Sequence, residues 1–214
     1  MVGLVDEVSL TLFERLADRL CHDFASSAQA VASGFDLLRE AQNPAEREEA
    51  EGFLAEAVAT QRARIGYARR AYGPASTAVA ASELELLVQA LFANIRPNFD
   101  WQVTSAALEP AAGRGLLILA QLATDILAAG GLARLSERSE GQRQWVELDA
   151  EGPRAKLRDE LRSGLTGTQS ETGHGGRWAQ GAFVRSLVVV AGGELGLEER
   201  PLGVRIWLNL PPGA

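Results

Sequence analysis

One cysteine and two histidines are all that this 214-residue chain holds of the side chains that bind transition metals most readily. A single thiol cannot close an internal disulfide, so the fold does not depend on an oxidising compartment. Cys21, His22 and His174 are also too few and too scattered for a zinc site. Long hydrophobic runs are missing too. The longest, residues 116–123, falls far short of a bilayer span, and MVGLVDEVSL at the N-terminus has no basic segment leading into an apolar one. Excess positive charge is absent: the formal net charge is -7 and the pI about 5.0, so there is no basic stripe of the kind that binds nucleic acid generally. No repeat of the solenoid kind is present. The expectation is a soluble cytoplasmic protein with neither nucleic-acid nor membrane partners. Its composition, 46% apolar and 23% charged, is that of an ordinary globular chain long enough for one large domain or two small ones.

What is there begins with helix. From about residues 5–9 to 42 the spacing is helical, and Phe13, Leu16, Leu20, Phe24, Val31 and Leu38 gather on one side at about 100° per residue. His22 falls on the opposite side, among Thr11, Arg15, Asp18, Arg19, Ala25, Ser26, Gln29 and Ser33. That strip is small, polar or charged, so the imidazole should stand in water with Asp23 directly behind it. Cys21, on the flank, is expected to be half-buried. Asn43-Pro44, with Glu46 three residues after the cap, is a strong start signal for a second helix. It carries Phe53, Leu54, Val58, Ile65, Ala68 and Tyr72, and Gly73-Pro74 ends it. The basic residues Arg62, Arg64, Arg69 and Arg70 suit its C-terminus, where they offset the macrodipole, and suit a docking role equally well. An antiparallel hairpin of two such helices leaves half its apolar stripe in water, and pairing with a second copy in a four-helix bundle covers it. A homodimer is therefore expected.

Beyond Pro74 the pattern alternates. Residues 77–81 and 101–105 read as strands, and 83–94 and 110–129 as helices, the latter closed by Gly130-Gly131. Strands are expected at 132–137 and 144–148, and a short polar helix at 153–162. Residues 163–177, SGLTGTQSETGHGGR, read as a mobile Gly/Ser/Thr loop in which His174 is solvated. A last helix at 178–191 and a hairpin of 194–197 with 204–210 complete an α/β sandwich. The overall class is α+β, with a helical hairpin at 1–74 and an α/β domain at 75–214.

The string around His22 resembles the phosphoacceptor box of histidine kinases: a histidine, an acid after it, Ser26 four positions on, then Gly and leucines. More closely, LCHDFASSAQAVASGFDLL is similar to the helix of ChpT-type histidine phosphotransferases of alphaproteobacterial phosphorelays. ARIGYARRAYG at 63–73, GLLILAQLATDILAAGG at 115–131 and the terminal helix and hairpin around Gly192-Gly193 carry the same likeness. It implies a dimeric four-helix bundle followed by a degenerate histidine-kinase-type (Bergerat-like) sandwich that has lost its nucleotide. One departure is Ser27, at the position where many kinase boxes have a helix-bending proline.

The residues themselves argue against ATP. Gln121 and Asp125 occupy the asparagine positions of such a site, and Asp149-Ala150-Glu151-Gly152-Pro153 puts a glutamate where close backbone approach demands glycine. Extra carboxylates are the wrong charge beside a triphosphate. The expected function is a phosphoryl shuttle: His22 takes a phosphoryl group from the receiver aspartate of a hybrid histidine kinase and passes it to receiver domains of response regulators. Imidazole is neutral near pH 7 and a good leaving group. Asp23 would orient it, while Arg15, Asp18, Arg19, Ser26 and Gln29 would steady phosphate or dock the partner. The receiver brings its own Mg²⁺, so no cofactor or metal is expected in this chain. The competing readings are a non-catalytic dimeric adaptor or kinase inhibitor, and an ATP-dependent histidine kinase.

Overall fold

In the computed structural model, which describes residues 7–168 and 175–213, the chain folds into a long helical hairpin joined to a two-layer α/β unit. Helix α1, Glu7–Glu40, and helix α2, Pro44–Tyr72, run antiparallel. The turn between them follows from its sequence. Asn43 Oδ1 accepts from the Glu46 backbone N–H at 3.0 Å, and Glu46 Oε2 reaches back to accept from the Gln42 N–H at 2.7 Å, so side chains satisfy donors that a helix start would otherwise leave open. The helices come close together at Gly34, where an added Cβ would lie 3.1 Å from Leu54 Cα. Among the described side chains of α1, Ser27 and Gly34 alone are buried outright. Leu16, Leu20, Phe24, Val31 and Leu38 are half-buried, and Phe13, expected with them, is 70% exposed. Near residue 13 the second helix has already ended, at Tyr72, so that ring gains no cover from it.

The α/β unit begins with β1, Val79–Ala80, and α3, Ala81–Phe92. There follow β2, Asn98–Gln102, β3, Ala107–Leu108, and α4, Pro110–Ile126. Next come β4, Leu132–Glu140, β5, Arg143–Glu151, α5, Asp159–Thr166, and α6, Gly176–Val190. The hairpin of β6, Glu194–Arg200, and β7, Gly203–Leu210, ends the chain. The main sheet has the order β2-β4-β5-β7-β6; β2 runs parallel to β4 and every other neighbour is antiparallel. Alternation explains its two faces: Ala133, Leu135, Val146, Leu148, Ala150, Ile206 and Leu208 point inward and are buried, while Arg134, Glu147, Asp149 and Arg205 between them form an outer ladder of ion pairs. Helix α4 lies across the inner face, its Leu116, Leu117, Ile118 and Leu119 wholly buried.

The strand expected at 101–105 lies at Asn98–Gln102, β3 was not expected, and two helical boundaries move further. The helix expected at 153–162 starts only at Asp159, because the preceding stretch docks extended on α4: the Lys156 N–H donates to Ile126 O at 3.2 Å and Leu157 is buried. The loop expected at 163–177 is helical as far as Thr166 and again from Gly176. Gly167, in the left-handed conformation, caps α5, whereas other glycines serve contact: a Cβ on Gly164 would sit 2.3 Å from Trp178 O, and one on Gly181 of α6 would sit 2.7 Å from Leu161 O. Helices α5 and α6 thus pack backbone to backbone. His174 and the rest of 169–174 lie outside the described residues, as does the expected helix start near Val5.

Candidate functional site

His22 stands on the middle of α1 with its side chain 82% exposed, as a strip without large apolar neighbours requires. Arg15, Asp18, Ser26 and Gln29 are exposed on the same helix, so the structure groups these expected residues on one open surface. Cys21 is exposed as well. It had been expected to be half-buried, and the hairpin partner does not reach round to cover that flank. Nδ1 of His22 lies 3.6 Å from Asp23 Oδ1, beyond hydrogen-bond length. Asp23 instead accepts from Arg19 Nε at 3.3 Å through its other oxygen. Arg19 turns inward together with Asp23: the Arg19 side chain is a quarter exposed and is engaged within the chain.

The turn carrying His22 is held from two directions. From α2, Arg64 Nη1 donates to the Asp23 carbonyl at 3.0 Å. Ser27 Oγ reaches Gln61 Oε1 across the helix pair and also lies 3.2 Å from the carbonyls of Asp23 and Phe24. In place of a proline, Ser27 is therefore buried and bonded, and α1 continues as helix through it. From the α/β unit, Asp125 of α4 places Oδ2 3.9 Å from Arg19 Nη1 and Oδ1 3.4 Å from Arg177 Nε. Beneath this lies a polar seam at the root of the hairpin. Tyr72 OH donates to Gln121 Oε1 at 2.6 Å and lies 3.5 Å from Gln180 Nε2, while Tyr67 OH donates to Leu117 O. Burial pushes the Tyr67 phenol well above its ordinary value and pushes Tyr72 up to about 12. Both favour the neutral form that their hydrogen bonds use.

Sequence reasoning missed Gln61 at the site and left Arg64 between a helix-end role and a docking role. The signal was the register of the hairpin: with a tight turn at 41–43, residues 61–64 of α2 come level with 23–27 of α1. Gln121 and Asp125 were singled out, but as failed nucleotide ligands rather than partners of the hairpin. Among the described residues no cluster of His, Cys, Asp and Glu could hold a metal ion, and no helix is long and apolar enough to cross a membrane.

A solvent-facing histidine on a long helical hairpin, braced against an α/β sandwich, defines the class of helical-hairpin phosphotransferases. The chain belongs to the histidine phosphotransferase family: the model of the histidine phosphotransferase C-terminal domain matches residues 81–201, which make up most of the α/β unit. Among curated proteins, the protein phosphotransferase ChpT of Brucella abortus (strain 2308) is 27% identical over 136 residues. That alignment takes in 62% of this chain and 63% of the relative's length. The solved structure of a bacterial phosphotransferase superposes with a TM-score of 0.79 at 20% identity, covering 94% of this chain and 96% of that one, and so shares the fold. A weaker likeness, TM-score 0.49 at 12% identity over 90% of this chain and 98% of the other, is to the histidine kinase AdeS of Acinetobacter baumannii.

Proposed function

We propose that the protein is a phosphorelay histidine phosphotransferase in which His22 receives a phosphoryl group from the receiver aspartate of a hybrid histidine kinase and hands it to the receiver aspartates of response regulators. The observation that carries this reading is the 82% exposure of His22 on a convex helix that a receiver cleft can approach. Nδ1 faces Asp23, which leaves Nε2 as the outward nucleophile. In transfer the acyl-phosphate P–O bond of the donor breaks, a P–N bond forms at Nε2, and the aspartate leaves as carboxylate. The imidazolium that results keeps its proton on Nδ1 beside the Asp23 carboxylate, whose charge favours it. Transfer to the second receiver reverses these steps. The transition state is loose, so positioning and charge neutralisation carry most of the catalysis. The receiver's Mg²⁺ supplies charge that this chain does not need to hold.

No ATP and no metal of its own enters this scheme. Gln121 and Asp125 are engaged by Tyr72, Arg177 and Arg19, and Asp149 and Glu151 by Arg134 and Arg200. Both groups are held by the chain itself. A second copy of the chain completes the hairpin, because Phe35 and Phe53 remain 53% and 42% exposed on it.

The test is transfer from a phosphorylated hybrid-kinase receiver to the native chain and to His22→Ala. Acid-labile, base-stable label on the native chain, absent from the variant, is the expected outcome, with none appearing from ATP alone. A native chain that binds receivers yet takes no label would instead favour the adaptor reading, and label from ATP the kinase.

A further inference from the structure

Asp125 has no role in the transfer scheme, yet its surroundings are those of a group under constraint. It is the last residue but one of α4, flanked by Leu122, Ala123 and Ile126, which are almost wholly buried. Its carboxylate is 18% exposed, and Oδ2 is buried with no hydrogen-bond donor. A buried carboxylate oxygen without a donor is costly unless a cation neutralises it. Arg19 of α1 is that cation, at 3.9 Å, with Arg177 of α6 on the other oxygen. Arg19 is pinned at a third point. Gly176, the first residue of α6, lies so close that a Cβ there would come within 3.3 Å of Arg19 Cδ and 3.5 Å of its Cβ. The same guanidinium holds Asp23, the neighbour of His22.

We propose that Asp125 is a positioning residue for phosphotransfer: through Arg19 it fixes the turn of α1 that presents His22, so that the α/β unit sets the pose of the phosphoacceptor. The proposal rests on the phosphotransferase reading. His22 is 82% exposed and open to a small donor in many poses, but in-line transfer into a receiver cleft tolerates little displacement. A misplacement of about 1 Å can cost on the order of 10²-fold in rate. Removing Asp125 leaves the Arg19 guanidinium paired with Asp23 only, and the ion pair that braces α1 on α4 is lost.

Phosphoramidate is the probe that separates the two cases. Imidazole Nε2 attacks its phosphorus, the P–N bond to ammonia breaks, ammonia leaves, and phosphohistidine forms without any partner. Native chain, Asp125→Asn, Asp125→Ala and Asp125→Glu would be loaded this way, then mixed with a series of receiver-domain concentrations in single-turnover transfer. We expect loading of Asp125→Asn at the native rate, a maximal transfer rate at least 10-fold lower, and a half-saturating receiver concentration within about two-fold of native. Asp125→Glu should recover part of the rate. Gly176→Ala, which pushes on the Arg19 stem, should show the same split and serves if the Asp125 variants fold poorly. An unchanged maximal rate, or a change confined to half-saturation, overturns the positioning role. Amide exchange across residues 19–26 reads the brace with no partner at all: unchanged protection in Asp125→Asn also overturns it. If loaded native chain passes phosphate to no receiver while that exchange does rise, the phosphotransferase reading fails and the proposal falls with it, although the mechanical brace stands.

Discussion

Tyr72 shows most plainly how much work single residues do at the root of the hairpin. It is the last residue of α2, its ring meets Phe183 edge-on at 5.2 Å, and its hydroxyl is spent on Gln121. Desolvation is the largest cause of its raised pKa; the Gln180 hydrogen bond and Arg19 oppose it, and Asp23 and Asp125 add to it. A phenol with a folded pKa of about 12 and an unfolded one of about 10 stabilises the fold fully below pH 10, where it is neutral in both states. That stabilisation is lost as pH rises from 10 towards 12, because the unfolded chain ionises first. Replacing it with Phe removes one hydrogen bond, about 1 kcal/mol at pH 8, but also removes an ionisation worth about 1 kcal/mol at pH 11. Urea unfolding should therefore find Tyr72→Phe less stable than native at pH 8 and nearly equal at pH 11. A stability gap constant across that range would remove Tyr72 from the alkaline transition. Tyr67, raised in the same sense, leaves residual pH dependence in both proteins. Ser27 teaches a similar lesson one turn beyond His22: a hydroxyl there ties α1 to Gln61 without taking a backbone bond from the helix.

Among elements, the hairpin is governed by Gly34. Glycine inside a helix costs about 1 kcal/mol relative to alanine, so its presence in mid-α1 needs a reason, and the approach of Leu54 supplies it. Gly34→Val would drive two branched methyl groups against the α2 backbone. We expect a loss of about 2 kcal/mol in urea unfolding, within the usual range for overpacking, with the α/β unit's own core unaltered. A variant as stable as native would mean that the helices do not meet there. Glycines also mark the limit of what the sequence could tell. Around α1, α2 and α4 the apolar spacing, the Asn43 cap and the exposed strip bearing His22 were legible, because each is a local pattern that tertiary contact merely completes. Gly164 was read as a loop signal, since a glycine needed for close helix contact looks identical to one needed for a turn until the partner helix is known. The strand expected at 77–81 contains β1, but a two-residue strand such as β3 has too little length for alternation to show. Arg64 was ambiguous for another reason. Its partner is a backbone carbonyl 41 positions away, a relation no local pattern encodes.

For the whole molecule the open question is what covers the hairpin. The contacts Gly34 with Leu54 and Ser27 with Gln61 set the register of α1 on α2, and that register brings Phe35 level with Phe53. Leu37 and Phe53, both exposed, also line a cavity at the turn together with Ala41 and Ala50, and Glu40, Glu46 and Glu49 share its lining. Two helices thus present large apolar side chains at the same height, while the α/β unit packs against the other end of the hairpin through Arg19, Tyr72 and their partners. A face of this kind is what an isologous four-helix bundle buries, and the same side chains are then supplied by both copies. Phe35→Glu with Phe53→Glu would place two buried charges per chain at such a joint, four in the assembly. Sedimentation equilibrium should give a native mass of about twice the 22.8 kDa chain and a single-chain mass for the double variant. The variant should keep its far-ultraviolet spectrum, because neither ring contributes to the α/β core. His22 lies away from that joint, so phosphoramidate should still load it in the monomer. A native chain that sediments as a monomer would leave the apolar face to a different partner and remove the bundle from the scheme.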